Sequence, residues 1–179
     1  IYVGYRFYET AYAEAQAGNM EFDYDSQVVY PFGYGLSYTT FNQEMGAISN
    51  DGKTVSFDVT VTNTGDVAGK DVVQVYFNPP YTNGGIEKSA ANLITFEKTG
   101  VIEPGASETV NVSFAVEDMA SYDADGEDCY VLDAGDYEIS INADSHHKIA
   151  TDNVNVASKV VYDESNKRES DQVVATNQF

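Results

Sequence analysis

From Phe41 onward the chain alternates apolar and polar positions with a period of two. Val55, Phe57, Val59 and Val61 are interleaved with Ser56, Asp58, Thr60 and Thr62, as in a strand with one buried face. Val73, Val75 and Phe77 repeat the pattern, and Pro79-Pro80 ends it. Leu93 to Phe96 with Val101-Ile102, then Val110 to Val116, then Tyr137 to Ile141, predict further strands, and Val154, Val156 and Val160 predict a last one. Cys129 stands at the start of another strand. Asn63-Thr-Gly-Asp66, Asn83-Gly84-Gly85 and Glu103-Pro-Gly-Ala106 punctuate the run as turns and loop tips. Met119 to Asp128 reads as a polar loop with one helical turn. About seven short strands with regular turn signals predict a mainly β fold, an antiparallel immunoglobulin-like sandwich of two sheets.

The first 28 residues differ. Tyr2, Tyr5, Tyr8 or Glu9, and Tyr12 recur at helical spacing, alternate alanines from Ala11 to Ala17 add helix propensity, and Gly18-Asn19 is a stop signal. A short helix with a packing face of tyrosines is expected. Tyr30 to Phe41, Tyr-Pro-Phe-Gly-Tyr-Gly-Leu-Ser-Tyr-Thr-Thr-Phe, fits neither period. Pro31 removes a donor and fixes φ, while Gly33 and Gly35 allow conformations closed to other residues. The segment reads as an irregular connection anchored by its aromatic rings.

These segments carry a resemblance. Ile1 to Thr10 followed by Val29 to Phe41 is similar to the end of the α/β sandwich domain of glycoside hydrolase family 3, the β-glucosidase family. Val59 to Tyr76 resembles the opening hairpin of the fibronectin type III-like domain that follows it there. Phe96-Glu-Lys98, Pro104-Gly105, Ser121-Tyr-Asp123 and Ala134 to Ile139 fall in the family's order. The resemblance implies three parts: residues 1–41 as the last segment of the α/β sandwich domain, 42–161 as the fibronectin type III-like sandwich, and 162–179 as a linker or tail. It further implies that the module is structural and packs on the barrel and α/β sandwich domains of the same polypeptide. Tyr30, Pro31, Phe32, Tyr34, Leu36, Tyr38 and Phe41 would be the interdomain packing residues. The parent would remove terminal β-linked sugars from β-glucosides or oligosaccharides with retention and without a cofactor. Both of its catalytic carboxylates would lie outside this chain, so no residue here takes a catalytic role. The parent would be bacterial-type, cytoplasmic or secreted. Ser145 to Ala150 and the polar stretch after Tyr162 look closer to members in which the barrel comes last. The chain opens on Ile with no leader before it, and is expected to be cut from something longer.

Composition changes this picture little. Nine basic against 29 acidic residues give a net charge of −20, which opposes binding to nucleic acid or to anionic lipid. No apolar run approaches the ~20 residues of a membrane span. The lone cysteine, Cys129, excludes an internal disulfide and reads as a small buried residue. Asp123 to Asp128 looks like part of a calcium loop, but the Gly and Glu positions of an EF-hand fail. His146 and His147 are adjacent and point to opposite faces, a poor pair for one metal. Asn111-Val-Ser113 is a glycosylation sequon on an outward strand face. An independent carbohydrate-binding or cell-surface adhesion module is the rival function. Under it, Tyr76, Tyr81 and Tyr122 are the rings that an exposed sugar site would use.

Overall fold

The computed structural model describes residues 1–176. A helix, α1 (Tyr5–Gln16), and a single turn, α2 (Tyr24–Gln27), precede eleven strands. In order these are β1 (Phe41–Met45), β2 (Ser49–Asn50), β3 (Thr54–Asn63), β4 (Val72–Asn78), β5 (Asn92–Lys98), β6 (Ser107–Ala115), β7 (Ser121–Asp123), β8 (Cys129–Leu132), β9 (Gly135–Asn142), β10 (Lys148–Val156) and β11 (Val160–Tyr162). A 3₁₀ turn, Val116–Met119, joins β6 to β7.

All pairings are antiparallel. In one sheet β3 lies between β6 and the two strands β1 and β2, which share its other edge. The second sheet runs β10-β9-β4-β5, and a small third one β11-β8-β7. The alternating residues meet between the two large sheets. Val55, Phe57, Val59 and Val61 of β3 and Val112 and Phe114 of β6 face Val73, Val75 and Phe77 of β4 and Tyr137, Ile139 and Ile141 of β9. Leu132, Val160 and Tyr162 bring the third sheet onto this core. A fully buried aliphatic side chain contributes about 1.5–3 kcal/mol, so this layer is the main source of stability.

The expected hairpin between Val59 and Tyr76 does not form. β3 and β4 belong to different sheets, and the intervening residues cross from one to the other. Asn63 explains the break. Its side chain is fully buried, donates to the carbonyls of Val67 and Ile102 (both 2.8 Å), and accepts from the Thr39 hydroxyl and the Gly65 N–H. An Asn bonded on every side at the end of a strand holds a crossover, not a two-residue turn. Val101-Ile102 also departs from the expected strand. β5 ends at Lys98, and Ile102 is a buried residue in an isolated bridge to Gly69.

Helix α1 ends as its sequence indicates. Gly18 has φ +79°, its N–H donates to the Ala15 carbonyl, and the Asn19 N–H reaches back to Glu14. This is a Schellman closure, which needs a residue at ease in the left-handed region. No helix among the described residues is long and apolar enough to cross a membrane.

Candidate interdomain face

The two central strands of the second sheet, β4 and β9, are buried on both sides. Along β4 the core residues Val73, Val75 and Phe77 alternate with Gln74 and Tyr76, which are also buried. What covers them is the N-terminal segment. Tyr5 of α1 meets the Tyr76 ring edge-on at 6.4 Å, and Phe32 stacks on Tyr5 at 4.3 Å with the rings 9° from parallel. The Tyr5 hydroxyl accepts from the Leu93 N–H, and Thr10 accepts from the Ala90 N–H. The helical stripe of Tyr5, Glu9 and Tyr12 is thus a packing face against the sandwich.

Glu9 is the centre of this interface. Its carboxyl group, 5% exposed, accepts from the Tyr24 hydroxyl at 2.6 Å and the Ser145 hydroxyl at 2.8 Å, and lies 2.9 Å from His146 Nδ1. The His146 ring stacks on Tyr24 at 3.8 Å, and Tyr12 closes on it edge-on at 4.5 Å. One carboxyl therefore ties α1, α2 and the β9–β10 turn together. Burial, reinforced by its bond to Glu9, pushes the Tyr24 phenol well above the usual range. In the sequence Glu9 was only one alternative within a tyrosine stripe. Its role depends on Ser145 and His146, which lie far along the chain, so no local pattern could mark it.

The Tyr30 to Phe41 segment is pinned at one end and open at the other. The Ser145 N–H donates to the Phe32 carbonyl, and Gln74 Nε2 donates to the carbonyls of Gly33 and Ala143, both at 3.0 Å. Gln74 Oε1 accepts from the Tyr76 hydroxyl. Gly33 has φ +83°, and a Cβ there would overlap Gln74 Oε1, so the backbone lies directly on the sheet. Of the expected packing residues, Phe32 contacts Tyr5, Pro31 and Phe41 are half-buried, and Tyr30 and Tyr34 pair with each other at 5.0 Å. Leu36 and Tyr38 are 89% and 99% exposed. Val29 and Tyr30 are 83% and 69% exposed, so this short stretch of chain leaves four large apolar side chains uncovered by the described residues, more than the scattered single exposures of an ordinary surface.

The three tyrosines named for a sugar site part company. Tyr76 is buried, a correction to the reading that its strand face looks to solvent; the outer face of that sheet is covered by α1. Tyr81 lies on an apolar cleft of about 510 Å³ between α1 and residues 78–90, which also takes in Tyr2, Phe7 and Met20. Tyr122 faces a separate, polar cleft. His146 and His147 bind Glu9 and Asp144 respectively. Asp123 caps a turn by accepting from Gly126 and Glu127, and no cluster of metal-ligating side chains exists among the described residues. Cys129 is buried, and burial and the nearby Glu127 push its thiol up. Asn111 and Ser113 are exposed, as the alternation required.

In the stretch after Tyr162, expected to be a linker or tail, residues 168–170 lie against the sandwich. Arg168 makes two 2.8 Å bonds to Asp171, and its guanidinium lies 3.8 Å from the centre of the Tyr130 ring. The N–H groups of Glu169 and Ser170 donate to Glu117.

Fold and face together define a fibronectin type III-like β-sandwich with a helical and aromatic segment docked on one sheet. Residues 71–145 match the family model of the fibronectin type III-like domain. β-Glucosidase 3B of Thermotoga neapolitana, solved in complex with α-D-glucose, superposes with a TM-score of 0.74 at 36% identity, over 90% of this chain and 20% of its own. The β-glucosidase of Kluyveromyces marxianus, solved with glucose, gives 0.75 at 30% identity, over 90% of this chain and 18% of its own. β-Glucosidase A of Butyrivibrio fibrisolvens is 37% identical over 155 residues, 76% of this chain and 17% of that protein. The chain belongs to glycoside hydrolase family 3, as a piece that contains its fibronectin type III-like domain. It spans about a sixth of the length of the curated relatives it matches.

Proposed function

We propose that this chain is a non-catalytic structural module of a β-glucosidase-like parent that hydrolyses terminal β-linked sugars with retention. Residues 1–41 would be the closing segment of the parent's α/β sandwich domain, and the sandwich would hold that domain in place beside the barrel. The observation that carries this reading is the pairing of two surfaces on one segment. Its inner side is fastened to the sandwich through Glu9, Gln74 and Tyr5. Its outer side presents Tyr30, Leu36 and Tyr38 to solvent. A segment so fastened transmits position rigidly, and an exposed apolar stretch of this kind is what a neighbouring domain buries. Retaining hydrolysis needs two carboxylates about 5 Å apart in a sugar pocket. The relatives' greater length leaves room for that pair elsewhere.

The test is made on the full-length parent. Deleting the sandwich should lower both its thermal stability and its turnover. Replacing Leu36 and Tyr38 together by Ser should weaken the same interface and lower the unfolding temperature of the parent by several degrees while leaving the isolated module unchanged. Full stability and turnover after deletion would defeat the reading.

A further inference from the structure

The polar cleft beside Tyr122 has a volume of about 480 Å³ and is formed where α1, the 3₁₀ turn, β7, β8 and the docked tail converge. Most polar side chains around it are spent on protein partners. Lys88 is held by Asp133 and the Pro80 carbonyl, Arg168 by Asp171, Ser89 by Asn92, and Glu87 by Tyr2. Four others are not. The Arg6 guanidinium, the Asp118 carboxyl, the Ser121 hydroxyl and the Tyr130 hydroxyl line the cleft without a side-chain hydrogen bond or ion pair among the described residues. In a chain with 29 acidic residues, a half-buried guanidinium with no carboxylate of the described residues within 4 Å is unusual. Tyr122 and Tyr130 meet edge-to-face at 5.6 Å in the same wall.

We propose that this cleft binds a neutral oligosaccharide. The free groups are a mixed set. Arg6 donates, Asp118 accepts, and the two hydroxyls do either. Sugar hydroxyls each donate and accept, so they match such a set, and a planar guanidinium can bond two vicinal hydroxyls at once. One face of Tyr130 is taken by Arg168, and the Tyr122 ring is the one left to offer an apolar face to the C–H side of a pyranose. An anion fits worse. Lys88 and Arg168 of the lining are already paired with Asp133 and Asp171, Glu87 and Asp118 line the same cleft, and the net charge of −20 repels it. The site goes beyond the structural role and does not depend on it.

The experiment is an amide-shift titration of the 179-residue chain with cellotriose and laminaritriose, up to concentrations on the order of 10 mM. Saturable shifts confined to Arg6, Asp118 to Tyr122 and Tyr130 are expected. Arg6→Ala should weaken binding about tenfold, since it removes bonds to a charged donor. Asp118→Asn should weaken it by a smaller factor. Should Arg6→Ala lower the unfolding temperature through the helix, the exposed Asp118→Asn decides alone. No saturable shift, shifts centred on the Tyr81 cleft, or unaltered affinity in both variants overturns the proposal, as does the same pattern with inorganic phosphate. None of these results touches the domain-packing reading, which is decided on the parent.

Discussion

At the scale of single residues, the polar atoms that hold the N-terminal segment are few and fully committed. Gly33 sits at φ +83° against Gln74. Gly33→Ala therefore combines backbone strain with a collision, and should cost about 1–3 kcal/mol in chemical denaturation. It should also raise the proteolytic sensitivity of residues 29–38. Asn63→Ala removes four bonds and strands the Val67 carbonyl, while the Ile102 carbonyl keeps the Gly69 N–H, so a loss of about 2–4 kcal/mol is expected by the same measurement. Tyr24 gives a pH prediction. Its phenol titrates higher when folded than when unfolded, so the folded state keeps a proton that the unfolded state loses. That contribution is complete below the ordinary phenol value of about 10 and is lost as pH rises beyond it. Tyr76 and Tyr137 act in the same direction through burial. The unfolding temperature should fall above about pH 10, and Tyr24→Phe should make that fall shallower. It should also lower stability near neutral pH by about 1.5–3 kcal/mol, through loss of the bond to Glu9. The Cys129 thiol, buried and pushed up, should resist thiol reagents in the native protein and react only on unfolding.

At the scale of elements, the long strands were legible and the short ones were not. β3, β4, β6 and β9 each repeat an apolar residue at every second position, and a period-two signal over five or more residues has no helical alternative. β2, β7 and β11 contain two or three residues each, too few to show a period. α1 was legible from its tyrosine spacing and from Gly18-Asn19, which closes it. The hairpin expected across Asn63 to Asp66 was not formed, because turn chemistry marks where a strand stops but not which sheet the next strand joins. The helix also has an energetic task. Removing residues 1–23 would take away the Tyr5 ring that lies against Tyr76 on the outer face of the second sheet. The truncated sandwich should unfold at least several degrees lower than the full chain, and its Tyr76 should become accessible to nitration. In contrast, Ile139→Ala tests the inner layer. It empties a fully buried site and should cost about 2–5 kcal/mol without altering the docking of α1.

At the scale of the whole molecule, the described residues form a sandwich with one sheet clad by a segment that also leaves Val29, Tyr30, Leu36 and Tyr38 exposed. Because α1 and the sandwich share buried side chains, the full chain should show one cooperative thermal transition, in which the bonds around Glu9 break together with the core. A separate early transition in helical signal would mean that the segment is only loosely attached. In the parent, the same fastening predicts that the module and its neighbouring domain melt together.

By itself the sequence determined the β character, the buried faces of the long strands, the position and end of the helix, the burial of Cys129 and the family resemblance. Those properties depend on residues close together in the chain, or on motifs whose order alone is informative. Only the tertiary structure decided that Tyr76 is buried, that β3 crosses to the other sheet, that Glu9 gathers Tyr24, Ser145 and His146, and that the tail lies on Tyr130. Each of these depends on which distant segment covers a given face. Alternation says that a strand has two faces, but only packing says what lies against the second one.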